Sequence, residues 1–198
     1  MTERRLTRSE LLLRGALATA SAAGAGAVGP FVSRALAKDD SSDLDVLSFA
    51  LTLEHLQSDL YVHGAKLALS DEPRTLVAEL GEQEAQHVKA LEAAVRKLGG
   101  VPPAKPRFVI PAHDEATFLR LAQALEDLGV SAYNGAVAAI ASPEILAAAA
   151  TVAQVEARHA AAVRLARGQQ PAPDAFDAAL ERSQAIANLR PLLRRRSS

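Results

Sequence analysis

A chain of 198 residues holds 22 Lys/Arg against 23 Asp/Glu, enough for one ordinary domain of nearly balanced charge. It has no cysteine, which excludes disulfides, thiolate metal sites and cysteine nucleophiles, so any metal must be held by carboxylate and imidazole. Its 49% hydrophobic content is dominated by Ala and Leu, with only 4% aromatics, which favours helix over sheet and predicts an all-α fold.

Residues 1–37 read as an export signal. Arg4, Arg5 and Arg8 lead into an Ala/Gly/Leu stretch that ends in Ala35-Leu36-Ala37, an A-x-A cleavage pattern, so that Lys38 begins the mature chain. The arginine pair and the weakly apolar, glycine-containing segment resemble a twin-arginine signal, although Glu3 and Thr7-Arg8 depart from its usual pattern. Residues 15–33 are uncharged and about long enough to cross a bilayer, but Ala, Gly and Pro30 make a poor anchor, and no stable membrane insertion is expected after cleavage. The implied destination is periplasmic or extracellular. Loss of the segment removes 5 basic and 2 acidic residues and leaves 17 against 21, a mildly acidic chain for which no nucleic-acid partner is expected. Arg194, Arg195 and Arg196 read as a solvated tail.

The mature chain divides into a bundle over residues 38–170 and a tail over 171–198. Helical periodicity runs from about Leu44 to Leu69, and Pro73 suits the first turn of a second helix that Gly99-Gly100 stops. Val101 to Asp114 contains Pro102, Pro103, Pro106 and Pro111 and must be an extended crossover. A third helix is predicted from Glu115 to about Ala141. Ser142-Pro143-Glu144 then supplies an N-cap and a first-turn proline for a fourth, which ends at Gly168. Two helical hairpins joined by one long crossover make a four-helix bundle. The tail is expected to carry a short helix from Asp174 to about Leu189 packed on that bundle.

The two halves repeat without a gap. A constant offset of 72 residues relates Glu54 to Glu126, Glu84 to Glu156 and His87 to His159, and also Leu53, Leu56 and Tyr61 to Leu125, Leu128 and Tyr133. Glu84-Ala85-Gln86-His87 and Glu156-Ala157-Arg158-His159 are both E-x-x-H, a spacing that puts carboxylate and imidazole about 60° apart on one helical face. One such motif is common by accident. Two in separate helices, at the repeat offset, suggest a chelating pair in each half.

Neighbours at helical spacing indicate which way these side chains point. Glu54 lines up with Leu47, Ala50, Leu51 and Tyr61, and Glu84 with Val77, Leu80, Val88 and Leu91. Glu126 follows Leu119, Ala122, Val130 and Tyr133, and Glu156 follows Ala149, Val152, Ala160 and Val163. All four are therefore expected to face inward, where unpartnered carboxylates would each cost several kcal/mol. No lysine or arginine shares these faces, so two divalent cations, bringing +4 against −4, would neutralise the core. Tyr61 and Tyr133 lie two turns beyond their glutamates, about 10 Å along the axis, and read as core residues with satisfied hydroxyls, or else as groups supporting the ligands or as radical carriers. His55 and His63 fall off the ligand face and are expected at the surface; His113 sits in the crossover, where it could approach a site mouth.

The phrases Leu51-Thr52-Leu53-Glu54-His55-Leu56, Glu84 to His87, Leu125-Glu126 through Tyr133, and Glu156 to Ala160 resemble the ferritin-like domain family that includes twin-arginine-exported bacterial proteins and plant desiccation-related proteins. The resemblance covers roughly residues 43–180. It implies a ferritin-like four-helix bundle holding two metal ions, iron first and manganese second, with Glu54 and Glu126 as terminal carboxylates. Glu84 and Glu156 would bridge, each partnered by His87 or His159 of its own motif. It leaves the reaction open. The leading expectation is a metal-handling or stress-protective protein that oxidises Fe(II) with O2 or peroxide, as a monomer or small homo-oligomer. Alternatives are a manganese-type catalase and a desiccation or envelope-stress bundle without catalysis.

Overall fold

A computed structural model describes residues 42–193; the export-signal reading of residues 1–37 and the terminal arginines 194–196 lie outside them. Helix α1 (Asp43–Gly64) opens on Ser42, whose side chain accepts from Asp45 N–H while the Asp45 carboxylate accepts from the Ser42 backbone, a reciprocal cap. Helix α2 (Asp71–Lys97) ends in Gly99, which takes φ +78°, and the Gly100 N–H closes the turn on the Val95 carbonyl at 3.0 Å. Helix α3 (Glu115–Ala136) is capped by Asp114 and Thr117. Helix α4 (Pro143–Ala166) starts on Ser142 and stops at Gly168, φ +68°, with the same glycine-closed turn as α2. A short α5 (Arg182–Leu189) and a 3-10 turn (Arg190–Leu192) complete the described chain.

The helices pack as two antiparallel hairpins, α1 on α2 and α3 on α4, with α1 also against α3 and α2 against α4. This all-α bundle with a short C-terminal helix is the fold expected from the sequence. The largest apolar cluster joins Leu53, Leu56 and Leu60 of α1 to Phe118, Leu119 and Leu125 of α3, and a second gathers Leu47, Leu51, Leu91, Val95 and Tyr133. Among the described residues no helix is long and apolar enough to cross a membrane.

Three element ends differ from the periodicity. α1 stops at Gly64 rather than Leu69, because residues 65–67 tighten into i→i+3 bonds, with Leu67 N–H on the Gly64 carbonyl at 3.0 Å. Leu69 is still buried, reached by a turn and not by helix. α3 likewise ends at Ala136 rather than Ala141, while Ala139 and Ile140 pack against Val46 from the loop. The tail helix begins at Arg182, eight residues after the expected Asp174, and residues before it run over α3, where Leu180 N–H bonds the Ser131 carbonyl at 2.9 Å. The crossover is held at both sides: Lys105 pairs with Asp59 of α1, and Val109 N–H bonds Leu192 O at 2.8 Å.

Candidate metal centre

Each long helix brings one glutamate to the bundle axis, because the acid falls on the helix's buried, mainly apolar stripe. Glu54, Glu84, Glu126 and Glu156 are all 0% exposed, and His159 is 3% exposed. His87 is the most open of the six at 13%. Their donor atoms fall into two overlapping groups, Glu54–Glu84–His87–Glu156 and Glu84–Glu126–Glu156–His159, each with ligand atoms within 4.8 Å of one another. Glu84 and Glu156 belong to both groups. The six residues singled out in the sequence are thus gathered at one place, and no lysine or arginine stands among them.

His87 Nδ1 lies 3.1 Å from Glu54 Oε2, 3.3 Å from Glu156 Oε1 and 3.6 Å from Glu84 Oε2. His159 Nδ1 lies 2.8 Å from Glu84 Oε1 and 3.5 Å from Glu126 Oε2. The rings are near parallel, 6.0 Å apart. Although the Glu84 contact is within ion-pair range, His159 Nδ1 and both Glu84 oxygens lack a hydrogen bond of acceptable angle, as does Glu156 Oε1. Buried polar atoms that face one another without a bond are costly unless something between them accepts their lone pairs. Carboxylate and imidazole are the donor set that suits Fe, Mn or Zn, so the residues present fit metal ions at this place.

Without a cation the cluster must hold protons instead. Burial, the strongest influence, raises the Glu54 carboxyl well above its ordinary range, and the charge of Glu156 adds to it. Glu126 is pushed up to about 8 by burial and then by Glu156. For His87 burial pulls the pKa down, but the Glu156, Glu54 and Glu84 carboxylates outweigh it and raise it to about 12; Glu126 and Glu84 raise His159 against burial to about 10. Glu84, opposed by burial but facing the His159 and His87 rings within ion-pair range, falls to about 2.

The outer contacts repeat the duplication crosswise. The Tyr133 hydroxyl of α3 donates to Glu54 Oε1 of α1 at 2.5 Å, and the Tyr61 hydroxyl of α1 donates to Glu126 Oε1 of α3. Burial lifts both phenols well above their usual pKa, so they remain donors. Two further residues were not singled out by sequence reasoning. Gln57 is buried and its amide nitrogen donates to Glu126 Oε2 at 3.1 Å and Glu156 Oε2 at 2.6 Å. Gln83 Oε1 accepts from His159 Nε2 at 3.1 Å. Gln57 carried a signal, since it stands three residues after Glu54 on the same face, a polar side chain in an apolar stripe.

The other histidines are placed differently. His55 is buried, 8% exposed, and not at the surface as expected: Lys105 of the crossover lies close enough that burial, and then this charge, lowers its pKa. His63 is half-buried and its Nε2–H donates to the Ala112 carbonyl at 2.7 Å, anchoring the crossover. His113 is exposed and belongs to neither group. An apolar cavity of about 100 Å³, with Leu47, Leu91, Ile145 and Val152 in its wall, shares Tyr133 with the site.

Four long helices in two hairpins around a buried carboxylate–imidazole cluster define a bundle with a candidate metal centre on its axis. The chain belongs to the ferritin-like domain family, whose profile matches residues 42–169. Its fold is similar to that in the crystal structure of a conserved hypothetical protein, rv2844, from Mycobacterium tuberculosis, at TM-score 0.60 and 23% identity over 68% of this chain and 96% of that one. No curated protein matches the sequence.

Proposed function

We propose that this is an exported dinuclear metalloprotein that binds two ions, iron before manganese, and oxidises Fe(II) with O2 or peroxide in metal handling or oxidative-stress protection. The observation that carries this reading is the set of unbonded buried atoms, both Glu84 oxygens, Glu156 Oε1 and His159 Nδ1, at the centre of the two ligand groups. Export rests on the pattern of residues 1–37. Bound at such a site, a pair of redox-active ions supplies electrons to an oxidant and stabilises the charge that develops on it.

The chain's own residues supply the setting. Glu84 and Glu156 stand in both groups, where bridging carboxylates would stand, and Glu54 and Glu126 stand in one group each. Tyr133 and Tyr61 hold one oxygen of each terminal carboxylate by a hydrogen bond, and so turn the other, Glu54 Oε2 or Glu126 Oε2, toward the histidine of its group. The aliphatic wall keeps bulk water off the cluster, which strengthens every electrostatic interaction inside it. The adjoining apolar cavity is of a kind that admits small apolar molecules such as O2.

Elemental analysis of untagged protein tests the metal, and distinguishes iron from manganese. Stopped-flow near-ultraviolet absorbance after mixing Fe(II) with oxygen tests the oxidation, which should be lost in Glu84→Gln, a substitution that keeps the volume. Gas evolution from hydrogen peroxide would instead indicate the catalase reaction. Protein that carried no metal, and bound none when supplied, would sink the proposal.

A further inference from the structure

The 72-residue offset superposes all six cluster residues and both tyrosines, but not the residues that brace them. Gln57, three positions after Glu54, corresponds to Gly129, three positions after Glu126. The substitution is complementary in space. A Cβ on Gly129 would lie 3.1 Å from Gln57 Nε2 and 2.5 Å from Glu156 Oε2, so the glutamine occupies room that the glycine leaves open. From there one amide nitrogen reaches two carboxylates, Glu126 and Glu156, while its Oε1 is buried without a partner. Gln83 likewise corresponds to Val155, which has no side-chain acceptor, and among the described residues the glutamine oxygen on an outer ring nitrogen is found at His159 and not at His87.

The Gln83 contact falls on the His159 side, and the Gln57 amide reaches Glu126, which belongs to the His159 group alone, together with Glu156, which both groups share. The Gln83 contact makes Nε2 the protonated nitrogen of neutral His159 and leaves the Nδ1 lone pair toward Glu84 and Glu126. The Gln57 amide locks the orientation of Glu126 and Glu156. His87 has neither kind of brace, and at 13% exposed against 3% it is nearer to solvent. The tyrosine contacts are present on both sides and cannot distinguish them.

Resting on the dinuclear reading above, we infer that the duplicated centre is functionally unequal: the His159 position, braced by Gln57 and Gln83, holds its divalent cation tightly, and the His87 position holds an exchangeable one. Hydrogen bonds of this outer kind change metal affinity by about 10–100-fold. Mutual repulsion of two cations would by itself give two binding steps even in a symmetric site, so stepwise filling alone decides nothing. The order in which the two histidines fill does.

The test is a titration of the full-length protein with Zn2+, which is redox-silent, followed by ring 15N resonances of the histidines and by calorimetry. The first equivalent should move His159 and the second His87. Gln57→Leu, which removes the donor but keeps the volume, should weaken the first step by about 10–100-fold and draw the two steps together. Gln83→Val changes a residue whose own position is exposed, and should act in the same direction. Both rings responding together, His87 responding first, or variants that leave the gap between steps intact would overturn the inequality while leaving the dinuclear reading in place. Failure of wild-type protein to bind any Zn2+ would overturn both.

Discussion

At Gly129 an added methyl would press on Glu156 Oε2 at 2.5 Å and on Gln57 Nε2 at 3.1 Å, both of them ends of side chains and not backbone. Those ends can shift, and replacing glycine by alanine inside a helix gains about 1 kcal/mol of propensity. Gly129→Ala should therefore leave the metal-free melting temperature within a few degrees but weaken cation binding by about 10-fold or more, through displacement of Glu156. Calorimetric titration beside a thermal melt checks it, and equal binding by both proteins would count against the packing described. A second residue-scale expectation comes from protons. In the metal-free fold His159 is raised to about 10, His87 to about 12 and Glu126 to about 8, each above its unfolded value of roughly 6.5 for histidine and 4.3 for glutamate. Groups raised in this way stabilise the fold below their unfolded pKa and lose that contribution as pH rises through the folded one. Metal-free protein should thus melt lower at about pH 9 than at about pH 6, while apparent cation affinity rises over the same interval because those protons must leave. Measuring both slopes is decisive, since an inert cluster would give neither.

Among the described glycines, Gly135 of α3 makes the closest approach to another backbone, that of the tail. A Cβ there would lie 1.8 Å from the Leu180 carbonyl oxygen, which is main chain and cannot swing aside. Gly135→Ala should lift the segment that leads into α5, cost about 1–3 kcal/mol, and remove hydrogen-exchange protection over residues 180–189 while leaving α1 and α2 protected. Unchanged exchange in that segment would show that the approach is not required. The tail matters because Ala185, Leu189 and Leu192 belong to the main apolar cluster. Much of this element map was legible in the sequence, for a reason visible in the residues: Ser142-Pro143, Gly99 and Gly168 carry conformational demands of their own. What periodicity could not tell was whether a buried residue is reached by helix or by a turn. Leu69, Ala139 and Ile140 satisfy the apolar pattern and are buried, yet they stand in loops, so α1 and α3 end earlier than the pattern suggests.

Across the whole molecule the candidate site was readable because the repeat doubled every signal: Glu, His and Tyr recur together at one offset, and chance seldom aligns three polar types on apolar faces. The contacts of Gln57 and Gln83 and the burial of His55 lay outside that repeat. These depend on how α1 meets α3, how α2 meets α4 and where the crossover lies, which local sequence does not encode. That separation between helix face and helix contact also sets how cations should act on the entire fold. Binding that is confined to the folded state adds about 2.7 kcal/mol at a free cation concentration 100 times Kd, and in a domain of this size each kcal/mol moves the melting temperature by about 2–4 °C. A chelator should accordingly lower the melting temperature of loaded protein by roughly 5–11 °C. Glu54→Gln separates this effect from ordinary core damage. Burial raises the Glu54 carboxyl well above its ordinary range and so favours the neutral form, which a neutral amide of the same shape imitates; metal-free stability should change little, while the increment supplied by the cation shrinks. Scanning calorimetry of both proteins, with and without chelator, measures the four values needed. If the variant lost as much stability without metal as with it, Glu54 would be a structural acid whose hydrogen bond to Tyr133 is its whole role.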